Sequence, residues 1–355
     1  MYSRTFKKAP EKIIEKGSAH FGTYEEVPPR LDIRGMHAPY AGIPVPSIIS
    51  NLRIKSRLEY AFSLDNYIGI AIFYDFKAIG LGEIIFWNKE TGKRNAYHTI
   101  MAPRRRFVPI HTTKGICACY RNSRYLKIAW GRNHQHHSLS FKVKGDKRRP
   151  SAKGFLFSPI DDKNHCDVSF VSPSPSFSRC SATWISTMSL NGQISLKNKK
   201  QKEQISANSK GLGMMVLNRT YIKMHSKSTY IYGMQKINND DVYFYLRSSN
   251  LDAADSDSYN DNVLFVNNEP TALPPVYITH PFGMKKRWII QDTESMVDLA
   301  FTPVSLAPRT LNLIALRMDY QLIYGTFEGT LLTKDGKKIS LKNFSGILYK
   351  NLLRL

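Results

Sequence analysis

The sequence has few acidic residues, few cysteines and no long uninterrupted run of apolar residues. Only 28 Asp and Glu stand against 51 Lys and Arg, which gives a formal net charge of +23. Hydrophobic residues make up 42% and aromatic residues 12% of the 355 residues. These fractions supply a sizeable core and exclude a wholly disordered chain. The length predicts about two domains or one extended β architecture.

No segment has the apolar length that a signal peptide or a membrane helix needs. The first 22 residues contain no apolar run longer than two residues. The best candidate for a membrane span, residues 68–87, carries Asp75, Lys77 and Glu83. Each charge would cost roughly 2.5–3.5 kcal/mol at the centre of a bilayer, and the spacing fits two short strands joined by a turn. We therefore expect a cytoplasmic protein without a transmembrane segment.

The four cysteines contain no C-x-x-C pair, and their spacing does not fit a zinc ribbon. Without an export signal, disulfides are not expected either. We therefore predict buried free thiols at Cys117, Cys119, Cys166 and Cys180.

The histidines of the segment GRNHQHHS form the densest cluster of metal-binding side chains. His134 and His136 would share a strand face, next to His137, and His165 or Cys166 could supply further ligands. Because no carboxylate or second spaced pair accompanies them, an exposed polar segment is the preferred interpretation. The sequence predicts no metal and no other cofactor.

No motif identifies a reaction. The sequence has no G-x-S-x-G element and no phosphate-binding glycine loop. The acidic stretch 252–261 lacks the glycine and glutamate that a calcium loop needs at its sixth and twelfth positions, so it is predicted to be a solvated loop. The pairs 161–162 and 240–241 place adjacent carboxylates at predicted turns.

The basic residues form separate short clusters rather than one continuous surface. Most of these clusters adjoin Gly, Pro or Asn, as loop tips do, and no nucleic-acid-binding motif accompanies them. We therefore expect no specific nucleic-acid partner. The clusters lie at residues 104–106, 147–149, 197–202, 285–287 and 337–338.

Alternating apolar and polar residues, rich in aromatic and β-branched types, predict many short strands separated by turns. Helix signals are sparse, and only residues 9–16 favour a short helix before Gly17. Asn191-Gly192 and Asp335-Gly336 predict hairpins, since these dipeptides tolerate the positive φ of a type I′ turn. The predicted fold class is all-β and antiparallel.

Turn-rich and proline-rich segments between residues 145 and 178 predict a domain boundary. The predicted domains are an irregular N-terminal arm (1–49), a first β-barrel-like domain (50–170) and a second (178–355). Each half carries enough strands for a barrel or a sandwich.

The C-terminal half resembles the bacterial domain-of-unknown-function family numbered 2804. The similar elements are NVLFV at 262–266, Trp288 with VDLAFTP at 297–303, and Gln321 with YGTFEG at 324–329. Weaker similarities extend the ordered resemblance over about residues 50–346. Residues 217–221 stand where the family has a characteristic motif. They retain the arginine of that motif, Arg219, and lack its acidic residue.

This resemblance implies a calycin-like fold of two barrels, distantly similar to carotenoid hydratases and tocopherol-cyclase-like proteins, with a cavity for an apolar ligand. Polar residues embedded in aromatic strands are the candidates for placed polar groups in such a cavity. The candidate ligand-binding residues are Asn218, Arg219, Asn262, Trp288, Gln321 and Glu328.

Three functions remain open from the sequence. The leading hypothesis is a protein that binds a hydrophobic small molecule of the lipid or isoprenoid class. The alternative is a cofactor-independent hydratase, cyclase or isomerase acting on such a ligand, and the third is a basic interaction protein for anionic surfaces. No catalytic residues are predicted, and a His or carboxylate inside a cavity would favour the enzyme.

Overall fold

The computed structural model describes residues 2–40, 46–77, 79–102, 107–131, 136–159, 165–198, 202–207, 211–313 and 316–354. These residues form 25 strands and one short helix, and the named strands pair antiparallel. The predicted all-β fold class is confirmed. None of the helical segments described is long and apolar enough to cross a bilayer.

The first elements are β1 (Ile14–Glu15), β2 (Ser18–Ala19), β3 (Gly22–Tyr24), α1 (Ser47–Leu52), β4 (Ile54–Ser63), β5 (Tyr67–Asp75), β6 (Gly80–Asn88), β7 (Arg94–Met101), β8 (Lys114–Arg121), β9 (Arg124–Gly131), β10 (His136–Val143), β11 (Ser151–Pro159), β12 (His165–Pro173), β13 (Cys180–Ser189), β14 (Asn191–Lys197), β15 (Lys202–Ser206) and β16 (Leu212–Tyr221). The remaining strands are β17 (His225–Ile237), β18 (Asp240–Ser249), β19 (Val263–Val266), β20 (Glu269–Ala272), β21 (Tyr277–Thr279), β22 (Trp288–Gln291), β23 (Val297–Leu313), β24 (Leu316–Leu332) and β25 (Lys338–Arg354).

Three large sheets form three layers. A six-stranded sheet has the order β15-β14-β11-β10-β9-β8, and an eight-stranded sheet has the order β3-β12-β13-β16-β4-β5-β6-β7. A nine-stranded sheet has the order β20-β19-β18-β17-β25-β24-β23-β22-β21. One apolar cluster joins the six- and eight-stranded sheets, and a second joins the eight-stranded sheet to the nine-stranded sheet. The eight-stranded sheet is therefore the middle layer.

Residues 68–75 and 80–87 lie in this middle layer, in strands β5 and β6, respectively. Their side chains are buried on both faces, because alternate residues belong to the two different clusters. A strand covered on both faces is apolar along its whole length rather than at alternate positions. Burial between two sheets thus explains the apolar run, and the predicted pair of strands is confirmed.

The nine-stranded sheet contains only residues after Tyr221 and curls around a third apolar cluster of its own. Three glycines of neighbouring strands, Gly233, Gly346 and Gly325, stand opposite one another in its register. A Cβ on any of them would lie 2.2–2.6 Å from the ring of Phe244, Phe327 or Phe301, respectively. Because glycine has no side chain, the three aromatic rings can pack directly on the backbone.

The predicted hairpin at Asn191-Gly192 is wrong. β13 pairs within the eight-stranded sheet and β14 within the six-stranded sheet, so the chain changes sheets at Leu190. Gly192 has φ +107°, and a Cβ there would lie 2.1 Å from the carbonyl oxygen of Phe155. This glycine therefore permits close approach of two backbones at the crossing.

The hairpin predicted at Asp335-Gly336 is present, joining β24 to β25, but its turn is not type I′. Only Gly336 has positive φ, and its N–H donates to the carbonyl of Thr333, as in a type I turn followed by a left-handed residue. Type I′ geometry, with two consecutive positive φ values, occurs instead at 238–239 and 267–268.

The short helix predicted at residues 9–16 is wrong. β1 and β2 form a hairpin there, and Lys16 and Gly17 both have positive φ, which a type I′ turn requires and a helix does not allow. The arm is largely irregular, but Leu31 and Ile33 are fully buried in the first apolar cluster. It therefore contributes to the core instead of lying over the surface.

The division between the halves is marked by a change of sheet. Strands β12, β13 and β16 hydrogen-bond within the eight-stranded sheet that contains β4, and the nine-stranded sheet begins at His225. We propose that the two structural halves meet at residues 222–224, later in the chain than the segment 171–177 between the predicted domains.

Candidate functional site

A cavity of about 760 Å³ opens at one end of the nine-stranded sheet. It lies where β17 and β24 begin and where β18 and β25 end. The register places five of its residues in one row across five strands, and these residues are Pro308, Gln321, Lys350, Thr229 and Ser248.

The row faces the apolar interior of this half of the protein. Gln321, Lys350, Thr229 and Ser248 each lie two positions along a strand from a core residue, so both side chains of each pair are on the same face. Those core residues are Ile323, Leu348, Ile231 and Leu246, all fully buried. The row therefore lies between the cavity and this apolar core.

β21 and the segment after it supply the opposite wall, with Ile278, His280 and Met284. Lys350 extends toward this wall, and its Nζ lies 2.7 Å from His280 Nε2 and 3.7 Å from Met284 Sδ. The same Nζ lies 5.5 Å from the ring centroid of Trp288. Burial, and then the charge of Lys227, lower the pKa of Lys350.

Two further observations define the polar groups of the cavity. The Oε1 atom of Gln321 is enclosed, and among the described residues it has no hydrogen-bond partner. Asp319 also lines the cavity, but Thr310 and Arg317 donate hydrogen bonds to its carboxylate at 2.8 Å each. The Asp319 carboxylate thus already accepts hydrogen bonds, whereas the Gln321 oxygen accepts none from the described residues.

Two of the predicted ligand-binding residues belong to this cavity or its wall. Gln321 lines it, and Trp288 packs behind Lys350 with its indole N–H donating to the carbonyl of Met284 at 3.3 Å. Glu328 is exposed and lines a different cavity of about 410 Å³ together with Asp298 and Arg287. The predicted residues therefore do not form one site.

Asn218 and Asn262 are parts of a buried network between the middle and nine-stranded sheets. Asn218 donates to the Thr183 hydroxyl at 2.8 Å, and that hydroxyl donates to Asp261 at 2.6 Å. Asn262 Oδ1 accepts from the backbone N–H of Arg247 at 2.7 Å. Both amides therefore form hydrogen bonds with groups inside the protein, which is a structural role.

The prediction of a solvated acidic loop at 252–261 is wrong for two of its carboxylates. Asp261 is buried and pairs with Arg247 at 2.6 Å, and Asp252 pairs with the same guanidinium at 3.1 Å. Burial raises the pKa of Asp252 to about 6. A buried arginine needs such anions, because an unpaired guanidinium is costly to desolvate.

Arg219 lies on the opposite face of β16 from Asn218, inside the first half. Its guanidinium donates to the carbonyls of Val108 and Pro109 at 2.7 and 2.8 Å and to the Ser56 hydroxyl at 2.7 Å. Burial lowers the pKa of Arg219 to about 10. A buried guanidinium needs anions or hydrogen-bond acceptors around it, and here two carbonyls and a hydroxyl serve as acceptors.

Sequence reasoning did not single out two buried ion pairs at the interface between the sheets. Arg57 Nε lies 3.0 Å from Glu59 Oε2, and Arg309 Nε lies 2.9 Å from Glu83 Oε1. Burial alone would lower the pKa of Arg57, but Glu59 and the surrounding tyrosines raise it well above its usual value. The only sign of these ion pairs in the sequence is a charged residue within a mostly apolar strand.

Two of the candidate metal ligands do meet. His165 Nε2 lies 3.1 Å from His137 Nε2, 2.8 Å from Ser186 Oγ and 3.5 Å from Asp167 Oδ1. Across the described part of the chain, however, no group of three His, Cys, Asp or Glu side chains could hold a metal ion. The four cysteines are free thiols, and Cys166 is partly exposed whereas the other three are buried. Several predicted features, namely His134 and residues 104–106, 161–162 and 199–201, lie outside the described residues.

Solved structures with a similar fold were found, whereas no curated protein matches the sequence. CghA, crystallised with Sch210972, has a TM-score of 0.50 and 7% identity, over 85% of this chain and 88% of that chain. Kievitone hydratase from Nectria haematococca has a TM-score of 0.44 and 10% identity, over 84% and 88%. A Nitrosomonas europaea protein described as an AttH has a TM-score of 0.47 and 11% identity, over 87% and 96%.

At 7% identity the likeness to CghA shows the fold alone. The sequence itself gives the family. A family model matches residues 16–354, nearly the whole chain. The chain belongs to the family described as "Domain of unknown function (DUF2804)".

Proposed function

We propose that the protein binds a small molecule with an apolar body in the cavity at the end of the nine-stranded sheet. The observation that carries the proposal is the cavity itself, whose volume of about 760 Å³ lies within the roughly 300–1,000 Å³ typical of ligand sites. The apolar residues of its lining would contact the apolar part, and these are Ile278, Met284, Pro308 and Leu352. Its few polar groups would orient the ligand.

Native mass spectrometry of the purified protein tests the proposal by detecting a co-purified molecule. Ser248→Phe fills the cavity and should abolish retention of that molecule. Thr302→Phe is the matched control, because Thr302 is an exposed residue of the same sheet and does not line the cavity. Retention that is equal in the two variants would contradict the proposed site.

A second candidate function is a cofactor-independent hydratase, cyclase or isomerase. The observation in its favour is His280, a titratable group inside the cavity and 2.7 Å from the Lys350 amine. A histidine so placed could transfer a proton to or from a bound ligand. Incubation of the co-purified ligand with fresh protein distinguishes the functions, since an unchanged ligand indicates binding and a new product indicates catalysis.

A further inference from the structure

Lys350 is a half-buried cation that faces the cavity, and no ion pair involves it among the residues that the structure describes. Its hydrogen-bond partners are His280 and the sulfur of Met284, which are not anions at neutral pH. A desolvated charge without a counter-charge is unfavourable, and an anion close to it would remove that cost.

The other charges of the cavity do not supply this anion. Asp319 is the carboxylate that lines the cavity, and it already accepts from Thr310 and Arg317. Lys227 lines the cavity as a second cation and lowers the pKa of Lys350 together with burial. The two lysines therefore leave this end of the cavity with excess positive charge.

Gln321 stands directly opposite Lys350 in the register of β24 and β25. Directly opposed side chains are about 4.5–5.5 Å apart at Cβ, so one small head group could contact both. The Oε1 atom of Gln321 is enclosed and has no hydrogen-bond partner among the described residues. A rotated amide would present its N–H group to an anion.

We infer that the ligand of this cavity carries an anionic head group of the carboxylate class, bound by Lys350 with Gln321 beside it and with its apolar body against the apolar residues of the cavity lining. This inference rests on the proposed binding function. It specifies which end of the ligand is bound by which residues.

Isothermal titration calorimetry with dodecanoate, dodecanol and methyl dodecanoate tests it. The wild-type protein should bind dodecanoate at least tenfold more tightly than the two neutral probes. Lys350→Met should remove this preference and leave dodecanol affinity within about twofold. Lys342→Met is the matched control, because Lys342 is exposed on the same strand outside the cavity, and it should behave as wild type.

The wild-type protein also provides a test without substitution. Dodecanoate affinity should fall as the pH rises through the lowered pKa of Lys350, whereas dodecanol affinity should stay constant. Lys227, His280, Arg309, Asp319 and Tyr320 are the other titratable groups that line the cavity, and Lys227 is the second amine among them. Lys227→Met should therefore retain the alkaline loss if Lys350 is responsible.

The outcomes separate the two proposals. Equal affinities for dodecanoate and dodecanol would overturn the anionic head group, and a preference that survives in Lys350→Met would overturn its binding by Lys350. Either result would leave the binding function intact. Failure of all three probes, together with no effect of Ser248→Phe on a co-purified ligand, would overturn the binding function and this inference with it.

Discussion

The hydroxyl of Tyr232 donates a hydrogen bond to Glu59 Oε2 at 2.5 Å, across the interface between the nine-stranded and the middle sheet. Both side chains are fully buried. Glu59 is also paired with Arg57, whose guanidinium carbon lies 3.4 Å from the ring centroid of Tyr230. The two halves of the protein are therefore joined by a buried charged group as well as by apolar contacts.

We predict that Arg57→Met destabilises the protein by about 3–5 kcal/mol, because Glu59 would remain as a buried charge without its partner. Urea unfolding monitored by tryptophan fluorescence measures this change. The double variant Arg57→Met/Glu59→Gln should recover most of the loss, since a neutral amide can still accept from Tyr232. Equal destabilisation of the single and double variants would show that the pair is not coupled.

His98 gives a prediction about acid stability. Burial, and then the charges of Arg309 and Arg124, lower the pKa of His98 from 6.5 to about 4, and its Nδ1 accepts a hydrogen bond from Arg309 at 2.9 Å. The unfolded chain therefore takes up this proton first, and stability falls as the pH is lowered from about 6.5 to about 4.

His98→Asn should reduce this loss, because the Asn oxygen can accept from Arg309 and does not titrate. Melting temperatures of the two proteins between pH 7 and pH 4 provide the measurement. Asp252, with its raised pKa, acts in the opposite direction in both proteins and cancels in the comparison. Parallel pH profiles would contradict the role of His98.

Gly346→Ala should lower the free energy of unfolding by about 1–3 kcal/mol through overpacking. The new methyl group would lie 2.2 Å from the ring of Phe327 and 2.8 Å from the carbonyl oxygen of Tyr232. Ser340→Ala, at an exposed position of the same strand, is the control and should change stability by less than about 0.5 kcal/mol. A neutral Gly346→Ala variant would mean that the ring can move aside.

Arg219→Met should destabilise the protein by about 1–3 kcal/mol, since it leaves the buried carbonyls of Val108 and Pro109 without donors. Ligand retention should be unchanged, because Arg219 lies in the first half and the proposed cavity in the second. Arg121→Met, at an exposed position, serves as the control. If Arg219→Met instead loses the co-purified ligand while its Tm is unchanged, Arg219 belongs to a ligand site.

The all-β class was predictable because strand alternation and turn residues are local signals. The role of residues 68–87 was predictable only in part: their length and charges excluded a membrane span, but which sheets cover them depends on strands far away in sequence. Asn191-Gly192 shows the same limit, since a dipeptide suited to a type I′ turn here serves a crossing between two sheets.

The candidate site was predicted only through Gln321 and Trp288. Lys350 has no local sequence signal of its own, and its position in a cavity depends on the register of β25 with β24 and β17. His280 comes from the segment after β21, and no local pattern places it against Lys350. Asn218 and Asn262, predicted as ligand-binding residues, are buried and hydrogen-bonded inside the protein, and those partners were not visible in the sequence.

The burial of the middle sheet on both faces has a consequence for synthesis on the ribosome. The chain up to Tyr221 contains every strand of the six- and eight-stranded sheets, so this part can assemble first. Until β17 to β25 emerge, however, the face that carries Ile70, Ile72 and Val216 is left uncovered. A nascent chain at this stage presents a wide apolar surface, with Arg57 and Glu59 still hydrated, and needs either rapid completion or a chaperone to avoid association with other chains.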